Sequence, residues 1–301
     1  VDNWHWWGGP REYAAFRDKD RDAFWTDPEI ISDFKKTIEF TINRKNTYTG
    51  VLYKDDKAIF GWETGNELNA PYEWTKEIAA YIKSLDKNHL VIEGRNSPDL
   101  SVEAIQDTNI DVVTTHHYRD TKLNLKKIVD NQSMAKGKKP YIIGEFGIVP
   151  PQEIRAITDT IINQGIAGGM IWSLRFHNRD GGFYHHYEYN NVAAYRWPGF
   201  NSGDWYDEKL VLNMIREKAY QIDGSPVPPM PVPEKPRLLD FDDISQISWQ
   251  GSAGAQSYII ERKEEYVDEW KVIADNVDDA QYQYRPLFND ETAEIGKRYF
   301  Y

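Results

Sequence analysis

Apolar residues recur at helical spacing in several stretches of the chain. Behind Asp27-Pro28, an N-cap followed by proline at the first helical position, Ile30, Phe34, Ile38 and Ile42 fall on one face. The same period appears at Trp74, Ile78, Tyr81, Ile82 and Leu85, at Ile154, Ile157 and Ile161, and at Leu212, Ile215 and Ala219. Short apolar runs at 58–62, 90–93, 110–115, 140–144 and 168–173 lie between these faces and read as strands. Strand and helix alternating at this spacing predict right-handed βαβ units and a parallel sheet, an α/β class. Val1-Asp2-Asn3-Trp4 reads as the end of one more strand. The total is then six, two short of a closed (β/α)8 TIM barrel; either the first two βα units are absent from this chain or the count is wrong.

The pattern changes after residue 223. Gly224 to Pro236 holds six prolines and reads as an extended, semi-rigid linker. Beyond it the period becomes that of strands, at Ile244 to Trp249, Ser257 to Arg262 and Tyr299 to Tyr301. This predicts a small all-β, immunoglobulin-like or fibronectin type III-like sandwich over 237–301, C-terminally incomplete. The expected organisation is therefore a (β/α) barrel domain over 1–223, N-terminally incomplete, a linker over 224–236 and the sandwich over 237–301. The sandwich shows no run of aromatics that would mark a sugar-binding face, so it reads as a spacer.

Composition narrows the chemistry. A net charge of −12 over 301 residues argues against nucleic acid, which needs clustered Lys and Arg. No apolar run approaches the ~20 residues of a membrane helix. Zero cysteines exclude disulfides, thiolate metal sites and a cysteine nucleophile. Eleven Trp, nineteen Tyr and twelve Phe exceed what a core alone needs, and flat sugar faces stack on such rings. An aromatic-rich core is the competing explanation; Trp62 and Trp249 are read as core.

Two glutamates are placed alike. Glu67 closes the run 58–67 and Glu145 closes 141–145, each ending a strand-like segment that leads into a loop. In an α/β barrel the carboxyl ends of the strands converge on one face, which would point both acids into one cleft. Paired carboxylates across a cleft are what hydrolysis of a glycosidic bond requires. His116-His117 and His185-His186 with Glu188 fit no familiar metal spacing and read as solvated or sugar-binding histidines, so no metal and no cofactor is expected.

The segments FWTDPEIISDFKKTIEFTINRKNTYTGVLYKDD at 24–56, IFGWETGNEL at 59–68, IDVVTTHHY at 110–118, KPYIIGEFG at 139–147 and GGMIWSL at 168–174 occur in one register. Together they resemble the endo-β-1,4-mannanases of glycoside hydrolase family 5. The resemblance implies cleavage of β-1,4-mannosidic bonds in mannan-type polysaccharides by retaining double displacement, with Glu67 as general acid/base and Glu145 as nucleophile. Retention needs the carboxyl groups about 5–5.5 Å apart. The resemblance further implies that Tyr118 donates to Glu145, that Asn66 holds the sugar 2-hydroxyl, and that His116 orients the acid or the sugar. It makes Trp172 a stacking platform and Trp4, with Trp6 and Trp7, and Trp205 outer subsite walls.

The family also places an arginine from the second strand beside the nucleophile; no counterpart occurs here, and the chain begins after that point. A β-1,4-glucanase or exo-β-mannosidase of the same family is the nearest alternative, and a non-catalytic carbohydrate-binding scaffold is another. The partner expected is β-mannan or a related oligosaccharide, with no nucleic acid and no membrane insertion. The family implies an extracellular, periplasmic or cell-surface location.

Overall fold

The computed structural model describes residues 1–185, 194–202, 205–282 and 286–301, apart from the side chain of Trp6; His186 and Glu188 lie outside the described residues. The chain folds into two compact units, Val1–Phe146 with Asp159–Met170, and Gly147–Thr158 with Ile171–Tyr301.

The first unit alternates strands and helices: α1 Pro10–Ala15, α2 Pro28–Ile42, β1 Gly61–Glu63, α3 Tyr72–Leu85, β2 Leu90–Ile92, α4 Val102–Gln106, β3 Val113–Tyr118, α5 Thr121–Ala135, β4 Tyr141–Gly147, α6 Pro151–Gln164 and β5 Gly168–Trp172. The last three continue into the second unit. Neighbouring strands follow chain order. Asp2 bridges Asn66 in parallel, β1 pairs with β2 in parallel with Trp62 opposite Val91, Ile92 bridges Val112 in parallel, and β3, β4 and β5 form one sheet in that order.

Local physics explains these elements. Asp27 caps α2 by accepting from the backbone of Glu29 and Ile30, as the Asp-Pro signal predicts. The apolar faces of α2 and α3 meet in an aromatic cluster, where Trp74 stacks on Phe34 with ring centres 5.6 Å apart and meets Trp25 edge-on at 5.1 Å. Trp62 is not simply core: its indole N–H donates to Asp86 at 2.7 Å, and Asp86 also holds His89 Nδ1 at 2.6 Å. Two strands sit later than the apolar runs suggest. Ile59 closes a turn with Asp56, so β1 starts at Gly61; Ile110 is buried in a turn closed onto Asp107, so β3 starts at Val113 and carries His116 and Tyr118 within the ladder.

In the second unit, β6 Leu174–Arg175 pairs in parallel with β7 Tyr195–Arg196, and α7 Glu208–Asp223 ends at Gly224 in the left-handed conformation. The buried face of α7 is Glu208, Val211, Leu212 and Met214, with Glu208 held by Arg196, while Ala219 is exposed. Residues 226–236 form neither helix nor strand. Then come β8 Arg237–Leu238, β9 Trp249–Gln250, β10 Tyr258–Glu264, β11 Lys271–Val277 and β12 Tyr299–Phe300. They form an antiparallel β11-β10-β12 sheet and an antiparallel β8-β9 pair, over a core of Trp249, Ala255, Tyr258 and Leu287.

Two expectations change here. Ile244–Gln246 is a 3-10 turn capped by Asp243, so the strand ending this run is confined to Trp249–Gln250. The strand β11 had no clear apolar alternation to announce it. No helix among the described residues is long and apolar enough to cross a membrane.

Candidate active site

Glu67 sits just beyond β1 in a segment whose backbone is clamped to the next strand end. Thr64 N–H donates to the Ile92 carbonyl at 3.0 Å, Gly94 N–H to Thr64 Oγ1 at 3.1 Å, and Leu68 N–H to the Gly94 carbonyl at 2.9 Å. Gly94 is required by this approach, since a Cβ there would overlap the Gly65 carbonyl and stand 3.0 Å from Glu63 Cγ. Glu67 itself has φ 51°, a left-handed conformation that costs a non-glycine residue of order 1–3 kcal/mol. Such strain is held only where surrounding bonds fix it.

The strand shift noted above places His116 and Tyr118 on one face of β3, beside Glu145 on β4. His116 Nδ1 donates to Glu67 Oε1 at 2.9 Å and lies 3.5 Å from Glu145 Oε2. Tyr118 Oη donates to Glu145 Oε2. One donor atom each from Glu67, His116 and Glu145 lies within 4.8 Å of the others. That spacing would also suit a metal ion, although Trp4 and Tyr118 already engage oxygens of the two carboxylates.

Trp4 is closer to the chemistry than an outer wall: its indole N–H donates to Glu67 Oε2 at 2.9 Å, and its ring is 44% exposed. Asn66 donates its amide to Asp2 Oδ2 at 2.8 Å. The structure thus brings Glu67, Glu145, His116, Tyr118 and Trp4 together in the first unit, with Asn66 adjacent. Trp172, which ends β5, and the 41% exposed Trp205 belong to the second unit; there Arg175 stands over the Trp172 ring at 5.4 Å.

His117, next to the site in sequence, points away from it. It is 1% exposed, bonded to Thr115 Oγ1 at 2.7 Å and near Asn124, and burial pushes its pKa down to about 4. Of the two readings the sequence leaves for this pair, solvated or sugar-binding, the solvated one does not hold, since His116 is 7% and His117 1% exposed.

Charge is distributed unevenly. Burial pushes the Glu67 carboxyl up, but the hydrogen bonds from His116 and Trp4, with the imidazolium charge, outweigh it and hold the group below its ordinary value. Burial raises Glu145, His116 and Tyr118 offset this in part, and Glu67 and Asp2 add to the rise. His116 loses to burial but gains more from Glu67 and Glu145, and is raised.

Three acidic residues lie near the pair without being singled out by their sequence. They are Asp2, Glu63 and Glu93. Glu93 is 3% exposed and its Oε2 has no hydrogen-bond partner among the described residues; burial pushes it up to about 7. An acid at the end of the apolar run Leu90-Val91-Ile92 was the available signal.

A family model described as GH family 5 beta-mannosidase-like matches residues 2–143. The chain is 30% identical over 193 residues to a mannan endo-1,4-beta-mannosidase 1 of Arabidopsis thaliana, covering 49% of this chain and 46% of that protein. It is similar in structure to the endo-1,4-beta-mannanase of Rhizomucor miehei, at TM-score 0.52 and 29% identity over 57% of this chain and 61% of that one. It is also similar to the hyperthermostable endo-1,4-beta-D-mannanase of Thermotoga petrophila RKU-1, at TM-score 0.59 and 25% identity over 73% of each chain. The chain spans about half the length of the curated relatives it matches. The likeness accords with a TIM-barrel-type fold, as does the chain-order sequence of strands.

Proposed function

We propose that the chain carries the catalytic pair of a retaining glycoside hydrolase that cleaves β-1,4-mannosidic bonds in mannan. The observation that carries this reading is the convergence of Glu67 and Glu145 on His116, with donor atoms within 4.8 Å. In the reaction, the Glu145 carboxylate attacks the anomeric carbon, the glycosidic C–O bond breaks, and Glu67 gives its proton to the leaving oxygen. Water then attacks the same carbon, Glu67 takes its proton, and Glu145 is released. The similarity to mannan endo-1,4-beta-mannosidases and the positions of Tyr118 and Trp4 support the same reading. Trp172 and Trp205 would stack on sugar rings, and residues 237–301 would form a fibronectin-like module after a barrel domain over 1–223. An extracellular, periplasmic or cell-surface location accords with a polysaccharide substrate and is checked by fractionating the native host.

Incubation with mannan oligosaccharides, followed by product sizing, tests the activity. Shorter products that vanish in Glu145→Ala support it; no cleavage by the intact chain ends it. Products from internal rather than terminal bonds distinguish an endo enzyme from an exo-β-mannosidase, and a cello-oligosaccharide control addresses a glucanase.

A second reading rests on a specific observation. In the free site Glu67 is held down and Glu145 is raised, the reverse of what an acid and a nucleophile need. Turnover therefore requires bound sugar to return the proton to Glu67; without that, the site binds carbohydrate and does not cleave it. Labelling of Glu145 by a 2-deoxy-2-fluoro mannoside excludes the binding-only alternative, and saturable mannan binding with no labelling favours it.

A further inference from the structure

The two described segments of the long loop after β5, 173–185 and 194–202, are tied to the C-terminal β-module at several independent points within the second unit. Phe183 is fully buried against Ala280 and Phe200, and its backbone N–H donates to the Tyr282 carbonyl at 2.9 Å. The deeper tie is Arg196, whose side chain is 6% exposed. Its guanidinium meets Glu208 through Nη2–Oε2 at 2.8 Å and Nε–Oε1 at 3.2 Å, while Nη1 donates to the Ala280 carbonyl. One side chain therefore joins β7, the first turn of α7 and the module.

Backbone approach is equally close. A Cβ on Gly181 would collide with Ser248 Oγ, one on Gly182 with the Tyr282 carbonyl, and one on Gly251 with the His177 ring. His177 Nε2 in turn stands 3.3 Å from Asp279, whose side chain is fully enclosed.

A module acting as a spacer would leave few contacts across its boundary, and the proline-rich 224–236 segment, at about 3.1 Å per residue, could carry it well away. Instead a buried ion pair is kept at the seam. Such a pair is a poor source of net stability compared with apolar packing, and its well-attested use is to fix one arrangement among several. The loop cannot fix itself, because β6 and β7 are two residues each, far short of a self-sufficient sheet.

We infer that residues 237–301 are a brace that sets the conformation of segments 173–185 and 194–202, with Arg196 as the positioning residue that couples them. The consequence for substrate rests on the glycosidase reading, since these segments follow Trp172 and precede Trp205; the brace itself does not.

Amide hydrogen exchange on the full chain tests this. Arg196→Met and Gly251→Ala, the latter a wedge from the module side, should each speed exchange in 173–185 and 194–202 by about tenfold, with α2 and α3 unchanged. Arg196→Lys, which keeps the charge but not the fork, should fall between them and the parent. Ile295→Ala, on the fully exposed surface of the same module, should change nothing. Exchange in those segments within about twofold of the parent in folded Gly251→Ala overturns the inference, and so does equal acceleration across α2 and α3. Should Arg196→Met fail to fold, Gly251→Ala decides alone. On mannan oligosaccharides Arg196→Met and Gly251→Ala should raise KM several-fold with kcat little changed, and Ile295→Ala should alter neither. A parent chain that shows the exchange pattern but no hydrolysis keeps the brace and ends the glycosidase reading.

Discussion

Trp4 and Glu67, 63 positions apart in the chain, are joined by an indole N–H donated to a carboxylate oxygen at 2.9 Å. That bond stabilises the charged form of Glu67, so Trp4→Phe, which keeps an aromatic ring and removes the donor, should raise the Glu67 pKa. Because Glu67 is held below and Glu145 above the ordinary carboxyl value, the acidic limb of kcat/KM follows Glu67 and should move up by roughly half a unit to one unit. A change confined to KM would make Trp4 a subsite wall and nothing more.

Removing either carboxylate should separate their roles. Glu145→Ala should lower kcat by about 10⁴-fold or more, as loss of a nucleophile does. Glu67→Gln should cost roughly 10²–10⁴-fold, and less on substrates with activated leaving groups, which need no proton. Equal losses on activated and natural substrates would contradict the assignment of Glu67 as the acid.

His116 stabilises the fold in a pH-dependent way. Its folded pKa lies above the ordinary 6.5, so its contribution is complete below about pH 6.5 and is lost as pH rises through the folded value. His116→Asn should flatten the corresponding fall in urea midpoint on the alkaline side of 6.5. A midpoint profile identical to the parent's would show that the imidazolium is not shared between the two glutamates.

Glu93 has the same sign for a different reason. Burial raises it from 4.5 to about 7, so stability is complete below pH 4.5 and declines as pH approaches 7, by an amount of order 3 kcal/mol. Glu93→Gln should remove most of that decline. Denaturant unfolding at pH 4.5 and pH 8 checks it, and an unchanged difference between the two would refute it.

Asp86 is buried and receives bonds from Trp62 and His89. Asp86→Ala leaves both donors without their acceptor, and about 3–5 kcal/mol should be lost. Urea titration measures this; a loss under about 1 kcal/mol would mean the pair is dispensable.

What could be read from the chain beforehand was what local rules govern. The Asp27-Pro28 cap and the stripe through Ile30, Phe34 and Ile42 define α2 because capping and amphipathicity act within a few residues. The edges of β1 and β3 were misplaced because Ile59 and Ile110 are apolar in turns, and burial does not distinguish a turn from a ladder. The brace was invisible, since Arg196, Glu208 and Ala280 carry no joint periodicity and meet only through tertiary folding. The same holds for the Trp4 bond to Glu67: its residues were singled out, but the distance between them was not a property of either motif.

Gly94 has no side chain, and that absence governs where the Glu67 carboxyl stands. The Glu67 turn can rest against the neighbouring strand end only because no carbon occupies the gap facing Gly65. Replacement by alanine would shift the turn as a rigid piece and misdirect Glu67, though nothing at position 94 would ever meet a sugar. A choice of positions made by closeness to the two carboxylates alone would pass over Gly94.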